Sequence, residues 1–372
     1  MHSPNYKKVY VLGAGFSIEA GAPNQYDLIK NIFELNDSSP NLFDREVFER
    51  FKKFLSEDLF ISEEHFGEVE LEDIFTPLDR CIAENTSFRG LSFDEMKRAR
   101  SDVYYLIAKM LDEKLRDIDS SYIDKFAKHL VFESKKRSNN RYKMIDPVSV
   151  VSMNWDIMLD NYIKKNIDLD ESTIKGVVDY CCHVSSFNKY DNTIKPGLEI
   201  LGAGGYNVKL LKIHGSLNWL ACPRCYRNYV GFNEKIGLYQ FMNQQECRHC
   251  KENFKKDRKS SHLNSSLVMP TFIKDLDSPQ YKQIWQNSAV ELSEASEVIF
   301  IGYSLPSADF EFRQLLSRMV RKNAKITVVD FSSESDKQNI PVFKRYKRFF
   351  GKREIIFHWN GTKSYVEKYI ED

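Results

Sequence analysis

No stretch of this 372-residue chain approaches the roughly 18–20 consecutive apolar residues that a membrane-spanning helix needs. The opening MHSPNYKKVYVLGAG turns at glycine before reaching the apolar length of a signal peptide, so a soluble, cytoplasmic protein is expected. Cysteine is scarce. There are seven, four of them in two Cys-x-x-Cys pairs, which suits a reducing compartment and a metal site better than a disulfide framework. Neither charge dominates: 54 Lys+Arg against 53 Asp+Glu leave +1, a balance that forecasts no membrane footprint and does not indicate direct nucleic-acid binding. The local basic runs, Lys135-Lys136-Arg137 and KRYKRFFGKR from Lys344 to Arg353, read as solvated faces. Internal repeats and long low-complexity tracts are absent as well.

What the chain does have is 42% hydrophobic residues, enough to bury a core and offset chain entropy, which excludes a disordered or fibrous protein. Its length fits about two structural units. Strand-like runs occur at KKVYVL, VSVVSMN, VVDYCCHV, VKLLKIHG, LVMPTFI, SEVIFIGYSL, KITVVDF and REIIFHW. Helical spacing of apolar residues marks NQYDLIKNIFEL, most of Glu46 to Lys136, DIMLDNYIKKN and FEFRQLLSRMVRKN. The expected fold is α/β: a Rossmann-like, doubly wound, mainly parallel sheet with a helical insert and a small zinc-ribbon insert. The expected domains are the sheet at 1–36, 146–221 and 266–372, the helical insert at 37–145, and a four-cysteine module at 222–265.

Chemistry is suggested first by Gly13-Ala14-Gly15-Phe16-Ser17, closed by Gly21-Ala22-Pro23. Glycines after a first strand let backbone approach a pyrophosphate, and the amides opening the next helix supply donors. The loop is not a full dinucleotide fingerprint: Ile18 stands where a third glycine belongs, and no acidic residue ends a second strand some 20 residues on. The plainer reading is a tight strand-to-helix turn. Three further motifs follow strands: Asn154-Trp155-Asp156, His214-Gly215, and Gly302-Tyr303-Ser304-Leu305. Asn154 and Asp156 are also good helix caps, and a histidine before glycine is often structural.

The second signal is Cys222-Pro-Arg-Cys225 with Cys247-Arg-His-Cys250. Two such knuckles can offer four thiolates tetrahedrally to one Zn²⁺, a closed shell that staples a loop and leaves no position for catalysis. His249 is a spare ligand or a bystander. Cys181, Cys182 and Cys81 read as uninformative or core residues.

In this order the motifs resemble the sirtuin-like family of NAD-consuming proteins, over about residues 9 to 331. The resemblance implies that Asn154 and His214 are catalytic. It also implies that NAD, as substrate, is held by Gly13, Ala14, Gly15, Phe16, Ser17, Gly21, Pro23, Asn154, Asp156, His214, Gly302, Tyr303, Ser304 and Asp330. The family often has Asn where Asp330 stands. Cleaving the nicotinamide–ribose bond develops oxocarbenium-like charge on the sugar. An amide such as Asn154 can orient water or a ribose hydroxyl, and an imidazole can accept a proton near neutral pH.

Protein deacylases of the family carry Asp-Phe-Arg after the first loop, where this chain has Asn24-Gln25-Tyr26-Asp27. They also carry Phe-Gly-Glu after the zinc module, where it has MPTFIKDLDSPQY. These departures look like the sirtuin-like NADases of bacterial antiphage defence, with Asn154-Trp155-Asp156, His214-Gly215-Ser216, Pro270-x-x-x-Lys274 and Gly302-to-Asp309 as typical motifs. That resemblance implies an NAD glycohydrolase controlled by homo-oligomerisation or by a partner such as a HerA-type ATPase or a separate sensor. An NAD-dependent lysine deacylase and a non-catalytic NAD or ADP-ribose sensor are the alternatives.

Overall fold

The computed structural model describes residues 6–116, 120–138, 146–256, 261–269, 271, 274 and 276–370. Eleven strands are formed: β1 (Lys8–Leu12), β2 (Val148–Ser152), β3 (Gly176–Asp179), β4 (Val184–Ser186), β5 (Tyr206–Lys212), β6 (Gly215–Ala221), β7 (Asn228–Val230), β8 (Asn264–Leu267), β9 (Glu297–Ile301), β10 (Lys325–Val329) and β11 (Ile356–His358). Seven of them make one parallel sheet in the order β11-β10-β9-β1-β2-β5-β3. Strands buried on both faces read as continuous apolar runs, as in Val150-Val151, Leu210-Leu211 and Val298 to Ile301. Four strands make a smaller sheet, β4-β7-β6-β8, in which β6 runs antiparallel to both β7 and β8. The α/β class and the mainly parallel sheet are as expected.

The chain divides into two compact units, one of residues 1–20, 119–267 and 276–372, the other of 21–118 and 268–275. The Ser121–Ser138 helix therefore groups with the sheet, and residues 21–36 group with the helices. In the sheet unit, Tyr10 of β1 packs edge-on against Phe126 of that helix. The run VVDYCCHV is two strands, not one, because Cys181 turns the chain at φ 57°. LVMPTFI is a strand only at its start, where β8 ends at Leu267; Pro270, Phe272 and Ile273 lie outside the described residues. The Pro279–Glu294 helix, entered by proline at its first turn, is an element the sequence reading left unassigned.

The second unit holds the helices Leu28–Ser38, Arg45–Lys53, Leu71–Glu84 and Phe93–Lys114. Phe33 packs its ring on Phe48, Phe51 and Phe66, and Arg50 makes a two-point bond to Asp102. Phe60, like Tyr26 and Phe93, is exposed, and it lies beneath the Arg89 guanidinium.

Candidate functional site

The strand order reverses direction at β1: the chain moves from β1 to β2 and β5 on one side, then returns to β9, β10 and β11 on the other. Beyond the carboxyl ends of the strands, such a switch point leaves a crevice. Pairing is in step across the sheet, with Leu12 opposite both Ser152 and Ile301, Ser152 opposite Lys212, and Ile301 opposite Val329. Hydrogen bonds continue the ladder one residue further. The amides of Gly13, Met153, Ile213 and Gly302 donate to the carbonyls of Ile301, Leu12, Ser152 and Val329. Gly13, Asn154, His214, Gly302 and Asp330 thus leave the sheet at one edge, and Asn154 and His214 each stand two residues past the paired Ser152 and Lys212.

The glycines of the first loop have a reason the sequence did not show. A Cβ on Gly13 would lie 2.5 Å from the Gly302 carbonyl oxygen, and one on Gly15 would lie 2.6 Å from Gly302 Cα. Gly302 itself has φ +59°, and a Cβ there would lie 2.5 Å from Gly15 Cα. The two loops touch backbone to backbone. Their amides are largely committed to that packing: Gly15 N donates to Gly302 O, Phe16 N to Gly13 O, and Ser17 N to Ala14 O. The helix that follows is a single turn, Gly15–Ile18, and so carries little aligned dipole. Phe16 is buried against Tyr122 and Phe126, and Tyr122 donates its hydroxyl to the Phe16 carbonyl.

Asn154 donates from Nδ2 to the Gly13 carbonyl at 2.9 Å, which joins the second segment to the first loop. Asp156 accepts from Ser17 Oγ at 3.0 Å and from the Met158 amide at 3.1 Å, so it both ties the segments together and opens the Met158–Asp168 helix. Underneath, the fully buried Lys212 donates to the Asp156 carbonyl at 2.5 Å and pairs with Asp160 at 3.2 Å. Tyr180 donates to Asp160 at 2.7 Å, and Asn218 donates to the Tyr180 hydroxyl. Burial raises the Asp160 carboxyl above the usual carboxylate range, against the pull of Lys212. Lys212 carries no local signal: a lysine inside the strand-like run VKLLKIHG has nothing in sequence to mark it as buried.

His214 is 7% exposed, and its Nε2 lies 3.7 Å from Asp309 Oδ1. Asp309, also buried, accepts from the Tyr303 hydroxyl at 3.0 Å. Burial, with Asp309 alongside, holds the Tyr303 hydroxyl well above the usual phenol range, so it stays a donor. The imidazole therefore faces the segment that begins at Gly302. The Gly302 loop is pinned from outside by Arg345, whose Nε donates to the Ser304 carbonyl at 2.7 Å, and by Tyr346, which donates to the Tyr303 carbonyl at 2.7 Å. Asp330 sits beside this arginine. Burial lifts its carboxyl above the ordinary value, while the Phe331 amide and Arg345 pull the other way. Arg345 carries a role that the basic run around it concealed.

Two residues of the expected set lie in the other unit. Gly21, with φ +103°, and Pro23 belong to the helical unit. Lys274 donates to the Thr271 carbonyl, and Pro270 lies outside the described residues.

The four module cysteines come together. Their sulfurs all lie within 4.8 Å of one another, with Cys222–Cys250 and Cys225–Cys247 both at 3.7 Å. A tetrahedron of thiolates about 2.3 Å from zinc has edges of roughly 3.8 Å, so the set fits Zn²⁺ closely. The thiolates are packed among Leu220, Tyr229, Ile236 and Leu263 on the smaller sheet, and the Tyr229 hydroxyl lies 3.4 Å from Cys247 Sγ. His249 is not in the cluster. Four ligands from the chain would make the metal structural. Purified protein is expected to hold one zinc per chain by elemental analysis. Structural sites of this kind bind with about 10–16 kcal/mol, so chelation or Cys250→Ser is expected to open residues 222–265 to protease.

No protein-family profile matches this chain, and no curated protein matches it. Solved structures that it resembles include Sir2 sirtuins. Sir2Tm bound to a propionylated peptide matches at 12% identity and TM-score 0.34, over 92% of this chain and 91% of that one. A structure on the mechanism and regulation of Sir2 enzymes matches at 13% and 0.40, over 98% and 91%. A variant Sir2 homologue in complex with ADP-ribose matches at 12% and 0.38, over 87% and 80%. No described helix is long and apolar enough to cross a membrane.

Proposed function

We propose that this chain hydrolyses NAD to ADP-ribose and nicotinamide. The reading is carried by one observation: Asn154 and His214, each two residues past a paired strand residue, leave the sheet at the same switch-point edge as two glycine loops in backbone contact. In this reading the bond from ribose C1′ to the nicotinamide nitrogen breaks, its electron pair leaves with neutral nicotinamide, and positive charge gathers on the sugar. Water adds at C1′ and gives up one proton. His214 is placed to accept that proton, and Asp309, 3.7 Å from its Nε2, favours the imidazolium that forms. Asn154, with its NH₂ committed to Gly13, presents its amide oxygen to the water or to a ribose hydroxyl. Asp330 and Arg345 flank the far side of the Gly302 loop, where the adenosine end would lie. The motif order supports a sirtuin-like NADase, and through that resemblance an antiphage effector restrained by oligomerisation or a partner.

The test is nicotinamide release from NAD by the full chain, with and without an acyl-lysine peptide. Release in buffer alone, with ADP-ribose formed in equal amount, is the expected result. Release only with peptide, accompanied by its deacylation, would make the chain a deacylase. Saturable NAD binding without release, even with candidate partners added, would make it a sensor.

A further inference from the structure

The basic run at Lys344–Arg353 does not stand alone in space. Strands β9, β10 and β11 are adjacent, parallel and consecutive, so the Phe310–Met319 and Pro341–Phe350 helices that cross between them lie on the same face of the sheet. They touch there, with the Arg313 guanidinium over Phe349. Both helices run back from the carboxyl edge, so their last turns meet the start of β10 at the opposite edge. Arg353 fastens this meeting point, donating to the carbonyls of Arg321 and Ala324 at 2.6 and 2.8 Å. Arg318, Arg321, Lys322, Lys325, Lys347, Arg348 and Lys352 are all exposed around it.

Residues 318–353 hold eleven basic and three acidic side chains, in a chain whose net charge is +1. None of the seven exposed cations, nor Arg353, forms an ion pair with any described residue. Arg321 and Arg353 spend their donors on carbonyl oxygens, which leave the charge whole. The acids bordering this edge are few: Glu294 pairs with Lys7, Glu297 accepts from Tyr6 and Thr327, and Glu354 is exposed. Cations in the last turn of a helix offset its dipole, which explains Arg318, Lys347 and Arg348. It does not explain Lys322, Lys325 and Lys352, which lie outside both helices. Among the described residues 318–353, the large exposed hydrophobic is Phe331, at the other edge of the sheet beside Asp330. A protein interface is built around clustered apolar or aromatic anchors; the exposed ones bordering this edge are Ile356 and Tyr6, against seven exposed cations. A phosphate backbone asks only for cations.

We propose that this face, at the sheet edge opposite the candidate active site, binds the sugar–phosphate backbone of nucleic acid without reading sequence. The experiment uses the full chain, a fluorescently labelled mixed-sequence duplex of about 20 base pairs, and anisotropy at salt from about 50 to 200 mM. Binding should weaken steeply with salt. The triple variant Lys347→Glu, Arg348→Glu, Lys352→Glu should bind at least about tenfold more weakly at the lowest salt. The neutral triple Lys347→Gln, Arg348→Gln, Lys352→Gln should lower the slope of log K against log salt by about 3, at close to one unit per lost phosphate contact. Three Lys-to-Glu changes on the helical unit, at Lys30, Lys52 and Lys53, should leave binding unchanged, and all variants should keep the parent melting temperature. Absence of binding at the lowest salt overturns the proposal. So does equal binding by the parent and the charge-reversed triple, or displacement of the duplex by polyglutamate at matched charge.

Discussion

Gly302→Ala is expected to lower the melting temperature by roughly 4–16 °C and to abolish whatever chemistry the site performs. The left-handed φ of +59° costs an alanine about 1 kcal/mol. The larger part comes from space, because the new methyl would meet the backbone of Gly15 and Phe16, atoms that cannot rotate aside. Overpacking of that kind adds about 1–3 kcal/mol, and each kcal/mol moves the midpoint of a unit this size by about 2–4 °C. Gly204→Ala separates the two effects. Gly204, the φ +84° residue that closes the Gly197–Gly202 helix, has nothing within 4 Å of a Cβ, so it should show the backbone cost alone, about 1 kcal/mol. Thermal melts of the two variants, read against nicotinamide release, check both parts. Equal melting temperatures would mean that the two loops are not in contact.

His214→Ala is expected to cut nicotinamide release by about 10²–10⁴-fold, the usual contribution of a positioned general base. Asp309→Asn keeps the shape but removes the charge 3.7 Å from Nε2, so it should act through His214. Its signature is a shifted pH profile with kcat lowered and KM nearly unchanged, which a merely structural aspartate would not give. Asn154→Ala should match His214→Ala in activity while also releasing the Gly13 carbonyl from its 2.9 Å bond. Quantified nicotinamide for the three variants at several pH values is the measurement. Full activity in His214→Ala would remove the imidazole from the reaction.

The parallel sheet was legible because β1, β2, β5, β9 and β10 are dense in Val, Ile and Leu and lead into glycine, asparagine, histidine or aspartate at the same edge. The short edge strands β3 and β4 were not separable, since a single left-handed residue, Cys181, splits an apolar run that has no glycine or proline to mark the break. Within the site, the motif residues Gly13, Asn154, Asp156, His214 and Gly302 could be picked out by residue type, but not what joins them. That the loop glycines exist for one another, that Asp156 accepts from Ser17 across 139 positions, and that Lys212 holds the Asp156 carbonyl are long-range facts without local pattern. The run KRYKRFFGKR was readable as charge alone. Only the crossover geometry shows that its first arginine serves the Gly302 loop while its end joins Arg321 and Ala324.

The Pro341–Phe350 helix thereby has two employments at neighbouring positions, and ten residues of α-helix make a stiff strut about 15 Å long. At its middle, Arg345 and Tyr346 grip the carbonyls of Ser304 and Tyr303; the next two residues, Lys347 and Arg348, face solvent. Tyr346 lies four residues before the last, about 6 Å along the axis, so a pivot of about 10° about that end would carry the grip by roughly 1 Å, a misplacement that can slow an enzyme about a hundredfold. A tug on those outer side chains would thus travel mechanically into the loop that begins at Gly302.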